Sequence, residues 1–95
     1  MKFQVQVTHQ AQKDLRHLPT DRRYALLQDL KRLAEDPTPD GDAIKAIAAD
    51  PTGILRRLRV GEYRVFFEVE KNVVFVLRCV QRQALEKAIR QLLGR

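Results

Sequence analysis

The stretch ILRRLRVGEYRVFF, residues 54–67, combines a hairpin turn signal with four arginines and decides the fold. Glycine at the first central position, in Gly61-Glu62, favours a two-residue type II′ turn. Because directly opposed residues share a face of the sheet, one face is apolar and the other carries arginines. The predicted pairs are Val60 with Tyr63, Arg59 with Arg64, Leu58 with Val65, and Arg57 with Phe66.

The following strand, residues 74–80, has two possible registers. A two-residue loop at Lys71-Asn72 would put Arg78 opposite Val65, on the apolar face. A one-residue slip moves every side chain to the other face, so burial favours the three-residue loop 71–73. That loop pairs Val65 with Cys79, Phe67 with Leu77 and Val69 with Phe75. It also places Arg78 on the arginine face, where we expect Arg82 to join it.

The rest of the chain predicts elements that cover this sheet. Residues 3–8 alternate between apolar and polar, as in a half-buried strand. Thr8 is a plausible N-cap for a short helix that stops at Pro19, and Thr20 caps a second helix that reaches about Glu35. Residues 36–42 form a loop rich in proline and aspartate, and residues 43–49 fit either a helical turn or a strand. Residues 83–93 predict a terminal helix.

These elements predict one α+β domain over residues 1–95, with the order β-α-α-β-β-β-α. We expect an antiparallel sheet of about four strands. The helical hairpin packs on the apolar face, and the terminal helix lies at the end of the sheet. The apolar and charged fractions, 44% and 32%, are typical of a globular domain.

Charge and composition narrow the function classes. The chain has 18 Lys and Arg against 12 Asp and Glu, a formal net charge of +6. This excess favours a polyanionic partner, either nucleic acid or an acidic protein. The alternative is a solvated arginine cluster that Glu62, Glu68 and Glu70 partly neutralise. With one cysteine and two distant histidines, the sequence predicts no disulfide, metal site or cofactor. No apolar run suggests a membrane span or a signal peptide, so a cytoplasmic location is expected.

The arginine face predicts anion binding, because guanidinium groups match phosphate and carboxylate geometry. Metal-free RNA cleavage would also need a general base and a general acid. Arginine supplies neither, since it stays protonated. The candidate proton-transfer groups are Glu68, Glu70 and Glu86, whereas His9 and His17 belong to the opposite side. Phe66, among the arginines, either stacks a base or lies under the terminal helix.

The hairpin, followed by the sequence VLRCVQR at residues 76–82, resembles the RelE/ParE toxin superfamily. The motif R-x-R-V-G-E-Y-R-V carries most of this likeness, and residues 11–19, AQKDLRHLP, match the family's first helix. The resemblance implies a toxin held inactive by an acidic antitoxin, which would cover the arginine face or displace the terminal helix. RelE-like members are ribosome-dependent mRNA endoribonucleases, and ParE-like members act on DNA gyrase. A binding module without catalysis is a third reading.

The resemblance also implies roles for individual residues. Arg64 and Arg82 match arginines that contact phosphate and stabilise the transition state. Arg57 and Arg59 match a basic region of the ribonucleases, and Arg78 and Lys45 are assigned to phosphate binding with them. Ribonuclease members often carry a tyrosine in the terminal helix. This chain has 85-LEKA-88 there, which leaves three alternatives. Either Glu86 or Lys87 replaces the tyrosine, or the ribosome contributes more of the catalysis, or the chain is not an efficient nuclease. Among these residues Glu86 is assigned to the catalytic set.

Overall fold

The computed structural model describes residues 2–50 and 53–94, which form a mixed sheet with three α-helices. In chain order the elements are β1 (Gln4–Val7), α1 (His9–Arg16), α2 (Thr20–Glu35), β2 (Ile44–Asp50), β3 (Gly53–Val60), β4 (Tyr63–Glu70), β5 (Val73–Gln81) and α3 (Leu85–Leu93). A 3₁₀ turn, Arg82–Ala84, joins β5 to α3. None of the helices in this part of the chain has the length and apolar character needed to cross a bilayer.

The α+β class is confirmed, and the sheet has five strands in the order β1-β5-β4-β3-β2. The expectation of about four antiparallel strands was wrong in two respects. The segment that the sequence left undecided, residues 43–49, is mostly strand: Ile44–Asp50 pairs with β3 as the fifth strand. At the other edge, β1 runs parallel to β5. The alternation of apolar and polar residues does not predict whether β1 runs parallel or antiparallel to β5, because the two strands are separated by most of the chain.

The β3–β4 hairpin has the predicted register, including the pairs Arg59 with Arg64 and Leu58 with Val65. Gly61 adopts φ +57°, as a type II′ turn requires of its first central residue. The apolar side of this hairpin faces α1 and α2. It forms the main core with Leu15 and Leu26 of those helices.

The β4–β5 register was predicted only in part. The turn has two residues, Lys71-Asn72, so Val69 pairs with Val74 and Phe67 with Val76. A β-bulge then shifts the register between Phe66 and Phe67. Beyond the bulge Val65 pairs with Cys79, as predicted. An extra residue in one strand lets a tight turn and a buried apolar face coexist.

Beyond the end of β1, helix α1 lies next to β5. Thr8 caps the helix as predicted, with its Oγ1 accepting from the Ala11 N–H at 3.4 Å. The Thr8 N–H donates to the Val76 carbonyl, and Oδ2 of Asp14 accepts from the Cys79 N–H at 2.9 Å. The strand edge left open where β1 ends is therefore satisfied by groups of the helix.

Helix α3 packs on the second face of the sheet instead of lying at its end, which corrects the prediction. Ala88 and Leu92 of this helix bury Leu55, Phe66 and Val80 in a second core. These strand residues alternate onto the face opposite the helical hairpin, and their apolar area requires cover. The second face is therefore half apolar and half basic.

Candidate anion-binding face

Two rows of paired residues cross the second face of the sheet. The first row is Lys45, Arg57, Phe66 and Arg78, and the second is Arg59, Arg64 and Val80. Phe66 is completely buried under α3, so its position matches the structural alternative and a base cannot stack on it. The charged residues at the uncovered end of these rows define what we call the arginine face: Arg57, Arg59 and Arg64, with Arg82 beside them.

Arg64 lies at the centre of the arginine face and is only 8% exposed. Its Nη1 donates to the carbonyls of Gly61 and Tyr63, at 2.8 and 2.9 Å. Two fixed carbonyl acceptors hold the guanidinium against the hairpin turn, so little rotamer freedom remains to be lost on binding a ligand. The turn that organises the fold thus also orients the central cation.

The other three arginines act electrostatically on Arg64. Burial lowers the pKa of Arg64, and the positive charges of Arg57, Arg82 and Arg59 lower it further, while Glu62 opposes this shift. Arginine remains protonated at neutral pH despite such shifts. The mutual repulsion is relieved when an anion binds among the guanidinium groups.

Arg57 and Arg59 are anchored by the loop before β2. Nη2 of Arg59 forms an ion pair with Oδ1 of Asp42 at 2.9 Å. Nη2 of Arg57 donates to the Asp42 carbonyl at 3.4 Å, and its Nε is buried without a hydrogen-bond partner. Asp42 thus compensates Arg59, and Glu62, one of the glutamates predicted from the sequence, acts on Arg64. The part played by Asp42 was not predicted, because its loop is remote in sequence from β3.

Arg82 begins the 3₁₀ turn after β5, and its side chain is exposed. Its backbone N–H donates to the Glu62 carbonyl at 2.8 Å, which ties the end of β5 to the β3–β4 turn. The backbone therefore fixes the origin of the Arg82 side chain next to Arg64, while the guanidinium stays accessible. A buried, oriented cation beside an exposed one suits an anion that arrives from solvent.

Arg78 is engaged elsewhere, although it shares a row with Arg57. Its Nε forms an ion pair with Oδ2 of Asp14 at 2.8 Å, and its Nη1 donates to Oε1 of Gln91 at 2.8 Å. The guanidinium therefore links α1, β5 and α3. This geometry gives Arg78 a structural task, and its assignment to phosphate binding stays a prediction.

The remaining predicted residues lie around the arginine face. Lys45 is exposed on the edge strand β2, directly opposite Arg57. Glu86 is exposed in the first turn of α3. Nδ1 of His17, just after α1, donates to the Lys13 carbonyl at 2.7 Å. The arginines gathered here are of the residue type that suits an anion, and Glu86 is the predicted proton-transfer residue nearest along the chain to Arg82.

No group of three or more His, Cys, Asp or Glu side chains within residues 2–50 and 53–94 is arranged to hold a metal ion. Cys79 is 3% exposed and belongs to the main core. Burial, followed by the charge of Asp14, raises the pKa of its thiol to about 12. The thiol is therefore neutral at physiological pH and poorly nucleophilic.

Comparison with known proteins relates this geometry to one group of proteins. Residues 5–86 match the family model of the ParE toxin of type II toxin–antitoxin systems, parDE. No curated protein is matched by the sequence.

Solved structures share the same fold. The archaeal RelE–RelB complex from Pyrococcus horikoshii OT3 is 26% identical, with a TM-score of 0.74 over 86% of this chain and 97% of that chain. The toxin–antitoxin complex RelBE2 from Mycobacterium tuberculosis is 22% identical, with a TM-score of 0.72 over 86% of this chain and 100% of that chain. The isolated RelE toxin of E. coli is 23% identical, with a TM-score of 0.66 over 96% and 99%.

Proposed function

Since this chain belongs to the ParE toxin family of type II toxin–antitoxin systems, within the RelE/ParE superfamily, we propose that it is a RelE-like endoribonuclease that cuts mRNA on the ribosome. The observation that carries this proposal is the arginine face: Arg59 pairs directly with the buried Arg64, and the backbone N–H of Arg82 is tied to the same hairpin turn. Such a cluster suits a phosphodiester whose negative charge grows during the reaction.

The roles follow from how each arginine is held. Arg64, fixed by two turn carbonyls, contacts the scissile phosphate in a constant orientation. Arg82, exposed at the start of the 3₁₀ turn, closes on the opposite side of the phosphate and neutralises the developing charge. The adjacent phosphates are held by Arg57, Arg59 and Lys45, which fixes the position of the RNA along the arginine face.

Cleavage requires the 2′-hydroxyl to lose a proton as it attacks phosphorus, while the leaving 5′-oxygen gains one. We assign proton transfer to Glu86, in the first turn of α3. The ribosome is the alternative source of this group. Arginine is excluded from the role because it does not give up its proton near neutral pH.

A second candidate function is a ParE-like toxin that acts on DNA gyrase by protein contact. Two observations favour it. The matching family model is that of ParE toxins, and α3 has Leu85, Glu86, Lys87 and Ala88 where ribonuclease members often carry a tyrosine. The arginine face would then engage acidic groups of a protein.

Expression of the toxin, followed by mapping of mRNA ends on translating ribosomes, tests the first function. We expect cuts at fixed codon positions that disappear in Arg64→Ala and Arg82→Ala. Arg16→Ala, which removes an exposed arginine on α1, serves as the control with the same change in charge. Growth arrest with intact mRNA and damaged DNA would instead establish the gyrase-directed function.

Binding of single-stranded RNA provides an independent measurement. Affinity should fall with salt at a log–log slope of about −0.7 for each phosphate contact. Losing the Arg82 contact should make this slope shallower by about that amount. A flat salt response of the wild-type protein would contradict phosphate binding at the face.

A further inference from the structure

A polar pocket of about 360 Å³ lies at the end of the sheet, beside the arginine face. Its walls come from the β3–β4 turn and the start of β4, from the junction between β5 and the 3₁₀ turn, and from the first turn of α2. The lining residues are Arg22, Glu62, Tyr63, Gln81, Arg82 and Gln83. Arg82 belongs to this lining and to the arginine face, so the two sites border each other. A volume of this size is typical of a site for a small ligand.

Backbone and side-chain contacts hold the pocket together. The Arg82 N–H donates to the Glu62 carbonyl at 2.8 Å. Tyr63, which is only 8% exposed, pairs with Gln81 across β4 and β5. Nε2 of Gln83 donates to Oε1 of Gln81 at 2.9 Å. A side-chain amide has one acceptor oxygen and two donor hydrogens, so this contact orients both side chains and leaves each of them able to hydrogen-bond a ligand.

The mixed polarity of the lining identifies the class of ligand. Arg22 and Arg82 contribute positive charge, Glu62 contributes negative charge, and the two amides contribute both donors and acceptors. The carboxylate of Glu62 disfavours a phosphate group, because like charges repel. A nucleobase is uncharged and carries donors and acceptors along its edges, so it complements such a lining. Unstacked bases of single-stranded RNA are bound in this way, and guanidinium planes can stack on them.

We propose that this pocket holds the base of a nucleotide next to the scissile phosphate and sets the base preference at that position. The inference rests on the proposed RNA substrate and deepens it, because it names a specificity site outside the arginine face. Tyr63 and Arg64 are neighbours on β4, so their side chains lie on opposite faces of the sheet. A phosphate at Arg64 is therefore one strand residue from the pocket, and the adjacent nucleotide reaches the pocket past Arg82, at the end of the sheet.

Binding of short RNA tests the pocket without requiring cleavage. The probe is a 2′-O-methyl trinucleotide, which has no free 2′-hydroxyl for the attack, in an intact form and in forms that each lack one base. We expect removal of one particular base to weaken binding to the wild type by about tenfold, which is the effect of losing one well-placed base contact. Gln83→Ala and Arg22→Ala should bind the intact form more weakly, and removal of the same base should then cost less than about threefold.

The matched control is Gln28→Ala, which removes an exposed glutamine of α2 outside the pocket lining. It should respond to base removal as the wild type does. Arg64→Ala should weaken binding of every form by a similar factor, because Arg64 contacts the phosphate in the proposed function. Gln83 and Arg22 are exposed, so their variants should keep the Tm of the wild type, and the affinities then report on the pocket.

Mapping of mRNA ends separates this inference from the proposed function. With Gln83→Ala, cuts on translating ribosomes should continue, while the base preference at one position beside the cut is lost. If the wild type leaves mRNA intact, the nuclease function fails, yet the trinucleotide affinities still decide the pocket.

Three results would overturn the inference. The first is a wild-type affinity that is the same for every form of the trinucleotide, or no binding of the intact form. The second is a base-dependent loss that persists unchanged in Gln83→Ala and Arg22→Ala. The third is an Arg22→Ala variant whose only change is a log–log slope against salt that is shallower by about 0.7, because the pocket would then hold a phosphate.

Discussion

The ion pair with Asp14 distinguishes Arg78 from the residues of the arginine face, and its contribution to stability can be tested by a double-mutant cycle. The pair is largely shielded, with side-chain exposures of 21% for Arg78 and 11% for Asp14. Asp14 also accepts from the Cys79 N–H. Asp14→Asn keeps one acceptor for that N–H and removes the charge, and Arg78→Gln removes the cation.

The expected magnitude follows from this geometry. Exposed ion pairs contribute up to about 1 kcal/mol, whereas breaking a fully buried pair costs about 3–5 kcal/mol. The intermediate burial of this pair, with a contact at 2.8 Å, places the cost of either single substitution at about 2 kcal/mol. In a domain of this size that lowers Tm by about 8–16 °C.

Urea unfolding of the wild type, the two single variants and the double variant measures the coupling. We expect the double variant to be less destabilised than the sum of the singles by about 1–2 kcal/mol. Additivity within about 0.5 kcal/mol would refute the argument that the two side chains act as a pair. In the RNA-binding assay, Arg78→Gln should leave the slope of log affinity against log salt unchanged. A slope shallower by about 0.7 would mean that Arg78 contacts a phosphate.

Three further predictions concern the core and the turns. Phe66→Ala should destabilise the protein by about 3–5 kcal/mol in urea unfolding, because the ring is fully buried against Ala88 and Leu92; a loss below about 1 kcal/mol would mean that α3 does not pack there. Lys71→Gly should stabilise by up to about 1 kcal/mol, since Lys71 adopts φ +56°, and a destabilised variant would contradict this turn geometry. The Cys79 thiol is buried and its pKa is raised to about 12, so it should resist alkylation at pH 8 and react fully in denaturant. The raised pKa stabilises the folded state at pH values below the pKa of the unfolded thiol, and this stabilisation is lost as the pH rises from about 9 towards 12.

The repulsion among the guanidinium groups of the arginine face is partly compensated within the protein. Arg64 tolerates three neighbouring cations because its Nη1 donates to two turn carbonyls, while Asp42 compensates Arg59. Hydrogen bonds from a charged donor contribute more than neutral ones, which offsets part of the repulsion. An anion bound at the face would supply the remaining compensation.

The sequence by itself determined the β3–β4 hairpin, the apolar side of that hairpin and the arginines on its other side. These follow from local rules: the two-residue turn fixes the register, and strand alternation fixes the faces. The same rules located α1 and its cap at Thr8, since capping involves residues three apart.

Only the tertiary structure decided the features that depend on distant residues. The parallel pairing of β1 with β5, the bulge in β5 and the cover of Phe66 by α3 result from competition between elements for the same apolar surface. The different contacts of the individual arginines also depend on distant residues. Arg78 meets Asp14 and Arg59 meets Asp42 across gaps of 64 and 17 residues, and local sequence patterns contain no information about such contacts.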